Sequence, residues 1–179
     1  GPAGTGKDTV LECFAAKKMK GVWKSVSYTT RQPRENEKDG VDYHFITREE
    51  FERLIKDGAM LEYAKYGLNY YGTPKAPVDE HLKNGDTVIL KIEVQGARQI
   101  KALYPDAVGV FVLPPSLEVL EKRLRGRGSE TDEDVIRRLS IAKKELEYSV
   151  NYEYRIVNDD LDDAVNDLYS IVRSLQLKQ

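Results

Sequence analysis

The 179-residue sequence predicts an α/β fold, a parallel sheet flanked by helices with a small mixed α/β lobe attached, on three observations. Short apolar runs at residues 87–94, 107–113 and 154–157 alternate with helical stretches, the pattern of strands covered on both faces. The chain opens on Gly1-Pro2-Ala3-Gly4-Thr5-Gly6-Lys7-Asp8-Thr9, a glycine turn that runs straight into a helix. Between residues 27 and 77 the character changes. Residues 42–46, 60–63 and 66–71 are short, alternating and tyrosine-rich, as in a small mixed sheet with one wet face; Tyr28, Tyr43, Tyr63, Tyr66, Tyr70 and Tyr71 all lie there.

The helices follow from their ends. The first continues from the glycine turn through Val10, Leu11 and Phe14, and Cys13 on it reads as a small core residue. Thr47 with Glu50 three residues later forms a capping box, and Thr73 stands before Pro74 at an expected first helical position. Asp57-Gly58 and Asn84-Gly85 read as helix stops. A long helix from about Asp132 puts Val135, Leu139, Ala142, Leu146 and Ser149 on one face. The last helix does the same with Leu161, Val165, Leu168, Val172 and Leu175.

Composition narrows the function classes. With 32% charged and 40% hydrophobic residues, the chain is an ordinary globular domain with a substantial core. A net charge of -2 argues against a general nucleic-acid binder, which needs a basic excess. No apolar run reaches membrane-spanning length. The single cysteine gives no disulfide framework and suits a reducing, cytoplasmic setting. Oligomeric state is not legible.

Chemistry concentrates in three places. Gly1 to Lys7 has the G-x-x-x-x-G-K spacing of a P-loop, whose glycines let backbone N–H groups turn inward on a phosphate while the lysine reaches the outer phosphates. Asp8 stands where a hydroxyl residue usually follows, with Thr9 one place later. The second place is Ser27-Tyr28-Thr29-Thr30-Arg31-Gln32-Pro33-Arg34, two arginines three apart around a proline turn, suited to gripping one phosphate from two sides. The third is a basic, glycine-containing stretch with Lys122, Arg123, Arg125 and Arg127 that runs on to Arg137 and Arg138, the composition of a lid over a polyphosphate, spanning about residues 119–138. His44 in a strand and His81 on a helix read as structural.

Six segments together resemble guanylate kinase: residues 27–34, Asp39-Gly40-Val41-Asp42-Tyr43-His44-Phe45, Leu61-Glu62-Tyr63, Asn69-Tyr70-Tyr71-Gly72-Thr73, Arg123 to Gly128, and Val157-Asn158-Asp159-Asp160. The resemblance covers nearly the whole chain. It implies a P-loop kinase core at 1–26 and 78–179 that includes the lid, a GMP-binding lobe at 27–77, and transfer of the terminal phosphoryl group of ATP to GMP or dGMP. It further implies that ATP is bound by Gly1, Pro2, Ala3, Gly4, Thr5, Gly6, Lys7, Asp8 and Thr9, with Asn158 near the adenine. For GMP it implies phosphate and ribose-side contacts from Ser27, Arg31, Arg34, Tyr43 and Tyr71, guanine reading by Glu62 and Thr73, and a place for Glu93. Lys7, Arg31, Arg123, Arg127 and Arg138 would neutralise the transferring group.

Glu62 also has an independent chemical case, because guanine offers adjacent N1–H and N2–H₂ donors that one carboxylate accepts together and adenine does not. Phosphoryl transfer asks for alignment and charge neutralisation rather than a general base. Mg²⁺ would enter through the ATP phosphates, with Thr9 or Glu93 as the chain's own residues to meet it. Two departures from the family stand out: of two positions where it carries carboxylates Glu93 keeps one and Lys91 does not, and Ala3 stands where it often has serine. A charge pair between Asp8 and Lys91 would account for both of those unusual residues at once; the alternative is that the two are independent, with Lys91 paired to Glu93 and Asp8 facing solvent. The alternative reading is a catalytically weak guanylate-kinase-like protein-interaction module, a class that typically loses the glycine loop and the arginine lid.

Overall fold

The computed structural model describes residues 1–126 and 131–178. Its elements in chain order are α1 (Lys7–Ala16), β1 (Val22–Lys24), β2 (Tyr28–Thr29), β3 (His44–Phe45), α2 (Arg48–Lys56), β4 (Met60–Tyr66), β5 (Asn69–Pro74), α3 (Lys75–Lys83), β6 (Thr87–Ile89), α4 (Val94–Leu103), β7 (Val110–Leu113), α5 (Leu117–Arg125), α6 (Asp132–Tyr148), β8 (Tyr154–Val157) and α7 (Leu161–Gln176). The fold is α/β, and it divides into two compact units: Gly1–Lys18 with Val108–Gln179, and Met19–Ala107. The second unit holds β1, α3, β6 and α4 together with the tyrosine-rich segment, so the expected lobe edges at 27 and 77 fall inside it.

In the first unit β7 and β8 pair in parallel, from Val110 opposite Tyr154 to Leu113 opposite Val157. Phe111 and Ile156 are buried between this pair and the helices, and α7 turns Ala164, Val165, Leu168 and Val172 inward. Phe14 of α1 meets Tyr169 of α7 with ring centres 6.4 Å apart. Leu120 and Leu124 of α5 pack on Val135, Leu139 and Ala142 of α6, each fully buried leucine contributing about 1.5–3 kcal/mol. The helices start where their caps dictate: the side chains of Ser116, Thr131 and Asp160 accept from the N–H groups of Val119, Asp134 and Asp163. The central part of the expected lid, Arg127 with residues 128–130, lies outside the described residues.

In the second unit β1 and β6 form a parallel pair, and a four-stranded sheet runs in the order β3-β2-β5-β4. Only the β2–β3 pairing is parallel within that sheet, which makes it mixed, as expected. Its non-site face is covered by α2, whose Phe51 is fully buried and stacks on Tyr70 at 5.2 Å. The capping box at Thr47 and Glu50 is complete in both directions. Edge strand β4 is protected from α4, where the Gln99 side chain accepts from Tyr63 N–H at 3.2 Å and donates to its carbonyl at 2.7 Å. His81 lies flat on Trp23 at 4.0 Å with Nδ1 2.7 Å from Asp86, a packing role for this histidine.

Three local expectations are corrected. The strand expected over 87–94 ends at Ile89, and Val94 already begins α4 with Glu93 as N-cap; Leu90 and Ile92 still pack into the core, so the apolar pattern outruns the ladder. Pro74 is not the first helical residue. It stays extended at ψ 135° as the last residue of β5, opposite Met60, and α3 starts at Lys75. β8 is not covered on both faces, since Val157 is 50% exposed and only Ile156 is buried in it.

Candidate functional site

In the first unit the glycine turn is held open by its own carbonyls. Gly4 and Gly6 both take positive φ, 89° and 83°, which a side chain would resist. Thr5, fully buried, donates its hydroxyl to the Pro2 carbonyl at 3.0 Å. The Thr5 carbonyl in turn accepts from Asn158 Nδ2 at 2.8 Å and from Arg123 Nη1 at 3.4 Å, while Arg123 Nη2 donates to the Asn158 carbonyl at 3.0 Å. The Thr5 carbonyl is thereby satisfied, its N–H turns back to the Pro2 carbonyl at 3.4 Å, and α1 starts two residues further on. There the N-cap is Gly6, which offers no side-chain acceptor to the first-turn N–H groups. A helix N-terminus so built is an anion site, with Lys7 as its first helical residue. Asp8, awkward beside a polyphosphate, sits in the first turn of α1, where the helix dipole favours a negative charge.

Asn158 and Arg123 thus brace the loop, a part for Asn158 that its expected place near the adenine did not include. A Cβ at Gly6 would lie 2.3 Å from Asn158 Nδ2. Gly6→Ala is therefore expected to cost about 1–3 kcal/mol of stability and to weaken ATP binding, because the amide must leave the Thr5 carbonyl. Thermal unfolding and ATP titration of the variant check this. Arg138 is half-buried on α6, and Arg127 is outside the described residues.

In the second unit strand register assembles the other candidate residues. Tyr71 and Thr73 are two apart on β5 and so share a sheet face; Glu62 lies opposite Thr73 and Ala64 opposite Tyr71 on β4, which adds them to that face. Thr73 donates its hydroxyl to Glu62 Oε1 at 2.6 Å, and both side chains are buried. Burial pushes the Glu62 carboxyl above the ordinary carboxylate range, and the charge of Glu93 adds to this against the pull of Thr73. Glu62 Oε2 occupies the space a side chain would take at Gly96: a Cβ there would stand 2.1 Å away.

At the other end of this site Arg31 follows β2, with its N–H donating to Thr29 Oγ1 at 3.2 Å. Its guanidinium donates through Nη1 and Nη2 to the two oxygens of Glu37, both at 2.8 Å, and lies 5.5 Å from the Tyr43 ring centre. Burial pulls Glu37 upward, but the bonds from Arg31 and the Arg34 N–H outweigh it and hold its carboxyl below the usual range. Tyr43 meets Tyr71 edge-on at 6.0 Å, and Lys91 Nζ is 4.4 Å from the Tyr43 ring centre. Lys91 thus has an aromatic partner within its own unit. Asp39 and Asp42 accept from the N–H groups of Phe45 and Lys38 and so fix the loop that presents Tyr43. Ser27 is buried one residue before β2, Arg34 is exposed, and Glu93 is the N-cap of α4.

Glu37 and Gly96 were absent from the sequence reading. Gly96 had a signal, a glycine in the first turn of a helix, which marks close approach. Glu37 had none. Among the described residues no three His, Cys, Asp or Glu side chains gather to hold a metal.

An α/β core whose glycine loop opens a helix N-terminus behind a lysine, with a separate arginine and tyrosine face beside a buried carboxylate, defines a P-loop nucleotide kinase. The guanylate kinase family model matches residues 1–175. A guanylate kinase of Synechocystis sp. is 47% identical over 96% of this chain and 90% of that protein; one from Neisseria gonorrhoeae is 49% identical over 99% and 86%. The crystal structure of guanylate kinase from Anaplasma phagocytophilum superposes with a TM-score of 0.78 at 34% identity, covering 92% of this chain and 80% of that one. The chain belongs to the guanylate kinase family.

Proposed function

We propose that the chain transfers the terminal phosphoryl group of ATP to GMP and dGMP, with the glycine loop binding the donor and the Glu62 face binding the acceptor. The observation that carries the acceptor assignment is Glu62: a buried carboxylate, fixed by Thr73, on the same sheet face as Tyr71. Its two oxygens suit the paired donors of guanine, while Arg31, Arg34, Tyr43 and Tyr71 suit the phosphate. Lys7 neutralises the charge that develops on the transferred group, and Arg123, Arg127 and Arg138 are proposed to add to it. Mg²⁺ accompanies ATP as part of the substrate, and Thr9 is the residue of the first unit that would meet its waters. The braced glycine loop supports catalysis over a protein-interaction module, as does the family membership. No described helix is long and apolar enough to cross a membrane. A cytoplasmic place fits the lone cysteine. A coupled ADP-release assay with GMP, dGMP, AMP and UMP tests the reading; AMP as the best acceptor would sink it.

The raised Glu62 carboxyl gives this reading a pH signature. Guanine needs the ionised form, so GMP binding should weaken as pH falls through the raised value, at a pH higher than an ordinary carboxylate would dictate. The limiting slope is tenfold per pH unit. GMP binding should also release protons in that window, which calorimetry in buffers of different ionisation enthalpy reads directly. Guanosine, which has no phosphate to titrate, should show both effects as GMP does.

A further inference from the structure

We infer that Lys91 is an additional phosphate-binding residue of the acceptor site, a cation that contacts the GMP phosphoryl group beside Tyr43. The inference rests on the reading of Arg31, Tyr43 and Tyr71 as the phosphate end of that site.

Lys91 stands two residues beyond β6, in the segment that leads to α4, and is half-buried. Its ammonium is 4.4 Å from the centre of the Tyr43 ring, and the Arg31 guanidinium is 5.5 Å from the same centre. The two cations are therefore within roughly 10 Å of each other at a single ring. Two cations held around one ring favour an anion beside it. Glu37 already answers Arg31 with both oxygens. A phosphate monoester brings about two negative charges near neutral pH, more than one arginine offsets. With Glu37 counted, Arg31, Arg34 and Lys91 together match that charge.

Glu93, two residues further along the same segment, acts at the opposite end of the site, where its charge reaches Glu62. One short segment thus makes the phosphate end more positive and the guanine end more negative, matching a ligand with an anionic phosphate and a donor-rich base edge. A carboxylate at position 91 would oppose the first of these.

The test is calorimetric titration of the whole protein with GMP and with guanosine, without ATP, for the unmutated chain and for Lys91→Met, Lys91→Arg and Arg31→Met. Lys91→Met is expected to weaken GMP about tenfold, the scale of one charge-assisted hydrogen bond, and to leave guanosine unchanged. Lys91→Arg should keep most of the affinity. In turnover, Lys91→Met should raise KM for GMP and not for ATP. If Arg31→Met weakens GMP selectively while Lys91→Met does not, Lys91 only props Tyr43 and the inference is overturned with the site reading intact. Equal weakening of GMP and guanosine by Lys91→Met overturns it as well, as a packing effect. If neither variant distinguishes the two ligands, the phosphate end itself is misassigned.

Discussion

Lys7→Met should lower kcat by about 10³-fold and leave both thermal stability and GMP affinity unchanged. Lys7 opens α1 at a helix end whose cap is glycine, so its ammonium and the first-turn N–H groups act on one anion. Deleting the ammonium removes the charge that can follow the phosphoryl group as it moves, while the helix dipole continues to hold the ground-state phosphates. The loss should therefore appear in turnover more than in ATP binding. Steady-state kinetics paired with ATP titration separates the two. A variant with near-normal kcat would remove Lys7 from the chemistry.

Glu62→Gln should weaken GMP by 10²-fold or more while the ATP affinity holds, because an amide accepts at one position and presents a donor to a base edge that itself donates. The same variant should be more stable than the parent at pH values above that at which the buried carboxyl ionises. The sign follows from the raised carboxyl: its contribution to folding is fully present below the ordinary carboxylate value and is lost as pH rises through the raised one. Above the raised value the native state carries a buried charge at a cost, and glutamine removes it. A gain of about 1 kcal/mol would raise Tm by about 2–4 °C in a chain of this length. Loss of GMP binding together with a higher Tm would show that the site is maintained against stability. Loss of both would mean that Glu62 is structural.

What the sequence revealed depended on how local each interaction is. The glycine loop and Lys7 are consecutive residues, and the capping box of α2 spans three, so both were readable and both are built as read. Helices α6 and α7 declared themselves through one apolar face each. Strand ends were less legible, because Leu90 and Ile92 remain buried after the β6 ladder has stopped, and burial alone does not report pairing. The candidate acceptor residues were recognisable as segments, but their shared face arises from the β4–β5 register, with an irregularity between Met60 and Glu62. Register across two strands is not written in either strand by itself. The fork between Arg31 and Glu37 crosses a proline turn that no periodic rule spans. The cation over Tyr43 joins residues 48 positions apart.

The missing side chain at Gly96 makes the proposed guanine reader a two-part device, of which only one part is chemical. Glu62 supplies the charge, and α4 supplies a notch cut to the depth of one carboxylate oxygen. Shortening the reader to aspartate would vacate the notch, and enlarging the notch residue to alanine would evict the reader. Acceptor preference in this chain is therefore tuned by pairs of changes across β4 and α4, and a redesign that alters Glu62 alone inherits a socket shaped for the residue it has removed.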